Sequence, residues 1–243
     1  MTGYMQYEDS VPRTKRRHPL RTTIIVLVIL IGLLVALDFG ARAFAESKVA
    51  SEIQQQGFPK KPNVSIEGFP FLTQVISRDF KDVNISSSNI TEGPLLIQSI
   101  NATMNGVHVN SSFNGGSVDS LNGTLSVTFA ALANAMTSQA GGLASLGGAG
   151  LTLSQAGTDE VKATLNLVIT SGTAVWRVSR TSSGDISIQL VSSTGLTSSL
   201  LSGLGNITIP LPHLPLGLTI QSVSVTSSGL VGTVTGHDVS FGS

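Results

Sequence analysis

The chain has no cysteine among its 243 residues. Disulfides, thiolate metal sites and cysteine nucleophiles are therefore excluded. Charge is scarce too: 12% of residues are Asp, Glu, Lys or Arg, and they balance to a formal net charge of zero. Nothing global draws such a chain to nucleic acid. From Asp119 onward only Lys162, Arg177, Arg180, Asp119, Asp159, Glu160, Asp185 and Asp238 are charged. That half stays soluble through Ser, Thr, Asn and Gly, a composition that suits exported β-rich proteins. Catalytic signatures are missing as well. There is no Gly-x-Ser-x-Gly elbow and no His-Glu-x-x-His. His18, His108, His213 and His237 show no metal-ligand spacing. The glycine-rich stretch 141–150 lacks the Lys-Ser or Lys-Thr of a phosphate loop. Asp159-Glu160 falls in a turn before a strand, and Arg78, Asp79, Lys81 and Asp82 form a solvated charged turn. These absences point to a binding protein rather than an enzyme, with no cofactor and no metal.

What is present begins at the N-terminus. Residues 1–21 are polar and basic, with Arg13, Lys15, Arg16, Arg17 and Arg21. Residues 22–37 then run sixteen positions without a charge until Asp38. That is short of the roughly 20 residues of a spanning helix and long for a signal-peptide core. The preceding cations place the N-terminus inside. Ala43-Phe44-Ala45 has the small-x-small form of a cleavage site. Against cleavage, Ala41, Ala45, Val49 and Ile53 continue at helical spacing across it. The preferred organisation is a cytoplasmic basic tail (1–21), an uncleaved transmembrane signal anchor (22–37) and an extracytoplasmic domain (38–243). The anchor continues into a first helix over 38–56, ended by Gly57 and Pro59.

The next stretch is the most distinctive: Ile66-Glu67-Gly68-Phe69-Pro70-Phe71-Leu72-Thr73-Gln74-Val75-Ile76. Gly68 permits a turn, and Pro70 suits the first position of a helix. Phe71, Leu72, Val75 and Ile76 then share one helical face. Two readings stand: a core-forming turn, or the mouth of an apolar lipid site.

Strands dominate from there. Alternation marks 83–87, 95–109 with one phase slip, 161–169, 174–178 and 186–190. A phase slip within a strand suggests a bulge or a tight turn. Asn105-Gly106 and Asn122-Gly123 are expected hairpin turns, as are Ser171-Gly172 and Ser183-Gly184. Helices are expected at 129–136 and 196–204. Pro210, Pro212 and Pro215 confine their segment to an edge or crossover. The implied class is α+β: a long N-terminal helix packed in a curved, mostly antiparallel β-sheet, preceded by one transmembrane helix. Such a sheet leaves an apolar trough of the kind that takes small apolar ligands.

Several segments, in this order, carry a family resemblance. They are Ala45-Glu46-Ser47-Lys48-Val49-Ala50, Gly68-Phe69-Pro70-Phe71-Leu72-Thr73-Gln74, Leu211-Pro212-His213-Leu214-Pro215-Leu216-Gly217-Leu218 and Gly229-Leu230-Val231. The chain resembles the LmeA-like phospholipid-binding proteins of the actinobacterial envelope. The resemblance implies a tubular lipid-binding (TULIP-like) fold and a place in the periplasm-like space at the cytoplasmic membrane. It also implies binding of anionic phospholipid such as phosphatidylinositol or cardiolipin. The founding member is linked to elongation of lipomannan. With that function, Phe69, Phe71, Leu72, Val75, Ile76, Trp176, Leu214 and Leu216 are candidate lining or rim residues. Lys60 and Lys61 either attract the headgroup or belong to a solvated linker. The competing function is an envelope scaffold with a filled β core and no ligand.

Overall fold

A computed structural model describes residues 19–93, 95–139, 150–166, 171–182, 185–196, 206–209 and 220–242. Its longest element is α1 (Pro19–Gln55), a single helix that passes through Ala45 without a break. From Thr23 it is long and apolar enough to cross a membrane. Its Ile, Leu and Val side chains from Ile24 to Leu37 are mostly exposed. Beyond them the helix turns one stripe to the rest of the chain: Asp38, Ala41, Arg42, Ala45, Glu46, Ala50 and Ile53. Val49, expected on this stripe, is exposed, and Ala50 is buried in its place. A strict four-residue spacing drifts about 40° per step around a 3.6-residue helix, so a long buried stripe has to change phase.

Gly57, at φ 102°, stops α1. Phe58 N–H donates to Ile53 O at 3.3 Å, and Gly57 N–H to Gln54 O at 3.1 Å. This pair of bonds is a Schellman cap, which usually carries an apolar contact between the two outer residues, here Phe58 and Ile53.

Two antiparallel sheets follow. The first has the order β1-β2-β3-β4-β11-β10. It comprises β1 (Asn63–Glu67), β2 (Asp79–Glu92), β3 (Leu95–Val109), β4 (Gly115–Thr128), β10 (Ser222–Thr226) and β11 (Gly229–Gly242). The second is a meander of β5 (Gly150–Gln155), β6 (Glu160–Asn166), β7 (Ser171–Arg180), β8 (Ile186–Thr194) and β9 (Asn206–Ile209). Two further helices are α2 (Phe71–Ser77), between β1 and β2, and α3 (Phe129–Gln139), capped by Thr128 and packed on β3 and β5. The expected α+β class holds, with the strands divided between two sheets rather than one.

Several local expectations need correction. Asn105-Gly106 and Asn122-Gly123 lie inside β3 and β4 and turn nothing. The β3–β4 turn is built by Asn110 instead, whose Oδ1 accepts from Ser112 and Asn114 N–H. The charged segment at 79–82 is the start of β2, and Ser171-Gly172 opens β7. The segments 1–18, 140–149, 167–170, 197–205 and 210–219 lie outside the described residues, and so do Ser183-Gly184, all but Leu196 of the expected 196–204 helix and the Leu/Pro run 211–218.

Gly106 has a different task. Pairing skips Lys81, Gly106, Asp119 and Asp238, one residue on each of four adjacent strands. Gly106 sits at φ 62°, and a Cβ there would collide with the Asp119 carboxylate. Along this crease the buried phase shifts, so Met104 and Val107, or Val118 and Leu121, are both buried three residues apart. A second irregularity at Asn89, φ 53°, accompanies the burial of Ile97 and Ile100.

The long strands of the first sheet, up to about 50 Å, serve two cores. Near α1 and α2 one core joins Ala50, Val64, Ile66, Phe71, Phe80, Met104 and Val118. At the other end Ile97, Leu125, Leu132 and Met136 pack against Val161, Leu165, Trp176 and Ile188 of the second sheet. Ile53 and Val223 touch both. Trp176 is 1% exposed at the centre of the distal core. Replacing it with Ala is expected to cost about 3–5 kcal/mol, read from the chemical unfolding midpoint by circular dichroism.

Candidate functional site

Between the two cores the packing leaves a slot. Register explains it: Ile85, Ala102, Gly123 and Val234 stand side by side on β2, β3, β4 and β11. The two middle residues are small, so the row has a hollow centre. Ile53 and Phe58, the apolar pair of the α1 cap, form the wall opposite, with Ile100, Met104, Leu121 and Leu125 completing the lining. The surface is almost wholly apolar. Its volume is about 60 Å³, against roughly 300–1,000 Å³ for a typical ligand pocket. A phospholipid acyl chain therefore needs the Ile53–Phe58 wall to move.

A polar cleft adjoins the slot across β2 and β3. Ser87 and Asn101 belong both to the slot and to an adjoining cleft of about 380 Å³, lined also by Lys60, Lys61, Asn63, Ser86, Ser88 and Ser99. The Ser87 hydroxyl is buried with no hydrogen-bond partner among the described residues. Lys60 Nζ donates to Ser88 O at 2.9 Å, and Lys61 Nζ to Ser47 Oγ at 3.2 Å. Neither ammonium has a carboxylate partner among the described residues. The cleft can therefore take an anion next to an apolar slot.

The Gly68-Phe69-Pro70 motif lies elsewhere, at the end where α1 leaves the sheets. Gly68, at φ 99°, is held against Gln74: a Cβ there would approach Gln74 Nε2 to 2.8 Å. Gln74 is buried, donates to Glu67 O and accepts from Lys81 N–H, tying the end of β1 to the start of β2. Pro70 is the N-cap residue of α2 rather than its first turn, and it offers no side-chain cap. The cap comes from α1. Asp38 Oδ2 accepts from Phe71 N–H at 2.9 Å and Oδ1 from Leu72 N–H at 2.8 Å, with Asp38 only 4% exposed. Above it Arg42 bridges Glu46 at 2.8 Å and Glu67 at 3.3 Å, and Glu46 also accepts from Ile66 N–H.

The residues expected at the site thus separate. Phe71 is in the proximal core, Val75 is half-buried and Trp176 is in the distal core. Phe69, Leu72 and Ile76 are exposed, Phe69 stacking on Phe39 at 6.2 Å. None of these six lines the slot, whereas Lys60 and Lys61 line its polar cleft. Leu214 and Leu216 lie outside the described residues. Of the charged residues, Asp159 and Glu160 both pair with Arg177 on the surface. His108, which looked isolated, sits between Asp79 at 3.5 Å and Asp119 at 3.2 Å. Sequence reasoning missed the slot residues and Asp38. The signal for Asp38 was its place as the first charge after the apolar run.

The sequence model of the LmeA-like phospholipid-binding family matches residues 36–235. The chain belongs to this family. No curated protein and no solved structure matches it. The LmeA-like match spans both cores, the slot and the α2 motif, and begins just before Asp38. The family is a lipid-binding one, and an apolar slot with a cationic cleft is chemistry suited to a phospholipid.

Replacing Asp38 with Ala strands two N–H groups, one of them buried, and is expected to destabilise the full chain by about 1–3 kcal/mol; Asp38→Asn, which keeps one acceptor, should lose less. Chemical unfolding in detergent micelles measures both. Glu67 gives a pH dependence. The Ser65 hydroxyl, donating at 2.7 Å, and then the Arg42 guanidinium hold its carboxyl below the usual carboxylate range, against partial desolvation. A lowered folded pKa stabilises above the unfolded pKa and is lost as pH falls through the folded one. Melting temperature should therefore drop below about pH 4.5, and Glu67→Gln should flatten part of that drop.

Proposed function

We propose that this chain is a membrane-anchored, extracytoplasmic phospholipid-binding protein of the cell envelope. The observation that carries the reading is the shared wall, Ser87 and Asn101, between an apolar slot and a cleft with two lysines that have no carboxylate partner among the described residues. An acyl chain lies along the Ile85-Ala102-Gly123-Val234 row, and the phosphate meets Lys60 and Lys61. Each lysine contributes roughly 1 kcal/mol toward an anionic lipid. An anionic lipid such as phosphatidylinositol or cardiolipin fits this charge. The buried Ser87 hydroxyl is placed to meet a glycerol or ester oxygen.

The anchor is α1 itself. Basic residues precede its apolar part, which orients the N-terminus inside and the sheets outside. The pathway that accompanies this reading is the one the resemblance implies, support of lipomannan elongation; the lipoglycan profile of a deletion strain tests it. A filled scaffold is the second reading, and the small volume of the slot favours it.

Native mass spectrometry of the full chain, released from micelles, separates the two. Phospholipid is expected to remain bound to the wild-type chain. Ala102→Phe fills the hollow and should abolish that adduct while lowering stability by about 1–3 kcal/mol. Lys60→Ala/Lys61→Ala should weaken anionic lipids about thirtyfold and zwitterionic ones less. A wild-type chain that carries no lipid after incubation with mixed vesicles supports the scaffold.

A further inference from the structure

We infer that α2 and the Gly68-Phe69-Pro70 turn form a foot seated in the bilayer interface, completing a membrane span that the apolar run leaves short. This rests on the anchor in the proposed function and adds a second membrane contact to it. The uncharged run 22–37 is about 24 Å long as a helix, while the hydrocarbon core is about 30 Å. The deficit is one turn of helix. That turn begins with Asp38, which would ordinarily end the span. Here both carboxylate oxygens are taken by the N–H groups of Phe71 and Leu72, and the residue is buried. A charge so enclosed shows the lipid almost no polar surface. The next charge on α1 is Arg42, held in ion pairs with Glu46 and Glu67. From Arg21 to Arg42 the helix thus offers 20 residues, about 30 Å, which matches the core.

The side chains at this level are those of a membrane contact. Phe39 and Phe69 stack on each other with both rings exposed; Phe69 is 63% and Ile76 81% exposed, and Leu72 joins them. Phe39 continues directly from the apolar run, so α1 and the foot form one unbroken hydrophobic surface. An isolated exposed Ile would need no explanation, but a contiguous aromatic and aliphatic cluster marks an interaction site. A bilayer is the occupant that continuity with the anchor selects. A soluble partner would have to cover Leu37 and Phe39 as well.

The absence of cysteine from the chain makes the test direct. Single variants Phe69→Cys, Leu72→Cys and Ile76→Cys carry a polarity-sensitive fluorophore in the full chain. The protein is reconstituted in vesicles of phosphatidylcholine with phosphatidylglycerol. Leu96→Cys, exposed at the far end of β3 from α2, is the aqueous control, and Leu30→Cys reports the anchor. Labels on the foot should be quenched by lipids bearing a nitroxide near the headgroup. Aqueous iodide should quench them at least about threefold less than the Leu96 label. If the Leu30 label is quenched by lipid while the Ile76 label is as open to iodide as the Leu96 label, the foot is overturned and the anchor stands. If the Leu30 label is also open to iodide, both fall. Lipid bound in the slot, read by mass, is independent of either result.

Discussion

The Asp38 carboxylate is the constraint on which the membrane-proximal end of the molecule depends. It joins segments 33 and 34 residues apart in sequence through two N–H···O bonds. Pro70 cannot cap α2 with its own side chain, and α2 has only seven residues. A helix that short is marginal unless something external fixes it. Asp38 supplies the fixing, and Phe71 then drops into the proximal core beside Phe80. One carboxylate therefore sets where α1 leaves the sheets, how the motif is presented and which apolar side chains remain outside.

Gly68 and Gln74 extend this lock to the first sheet. Gln74 reaches back to Glu67 and forward to Lys81, so the two strands flanking α2 are fixed by a single buried amide. From there the sheet runs to the distal core, and its crease at Lys81, Gly106, Asp119 and Asp238 changes which side chains face inward. The slot lies beyond the crease, where neither core reaches fully. Ala102 and Gly123 are too small to close it. The slot is thus a consequence of register as well as composition.

How far the sequence reveals this differs from place to place. Amphipathic α1, its stop at Gly57, the α2 motif and the alternating strands of the meander are all legible, because each is a local pattern of burial or backbone freedom. Trp176, Val178, Ile186 and Ile188 are buried as their alternation requires. The slot was not legible, for a definite reason. Asn122-Gly123 carries the local signature of a hairpin turn, so the long strand β4 is divided at the very residue that makes the hollow. Only pairing with Ala102 on one side and Val234 on the other shows Gly123 as an interior residue, and pairing is a long-range fact. Asp38 was hidden in the same way: its partners are backbone N–H groups far along the chain, which leave no trace in side-chain pattern. Phe69, Leu72 and Ile76 were legible as apolar, but not as exposed. Sequence periodicity put Leu72 and Ile76 on a face with Phe71, whereas the buried face is Phe71 and Gln74.

Separating the motif from the slot changes what a lipid would have to do. Asp38 and Ile53 are fifteen residues apart on one continuous helix, about 22 Å along its axis. With α2 seated in the interface, the slot and the Lys60–Lys61 cleft stand well above the headgroup layer, depending on helix tilt. A phospholipid bound there has left the bilayer and cannot be a lipid merely leaning on an embedded protein. Its chains would have to be covered at each stage, and the slot is closed by a wall made from the last turn of the same helix. Ile53 packs against both cores, so moving that turn loosens contacts on both sides. Opening therefore carries a cost that an entering acyl chain, by burying its own apolar surface, is able to offset.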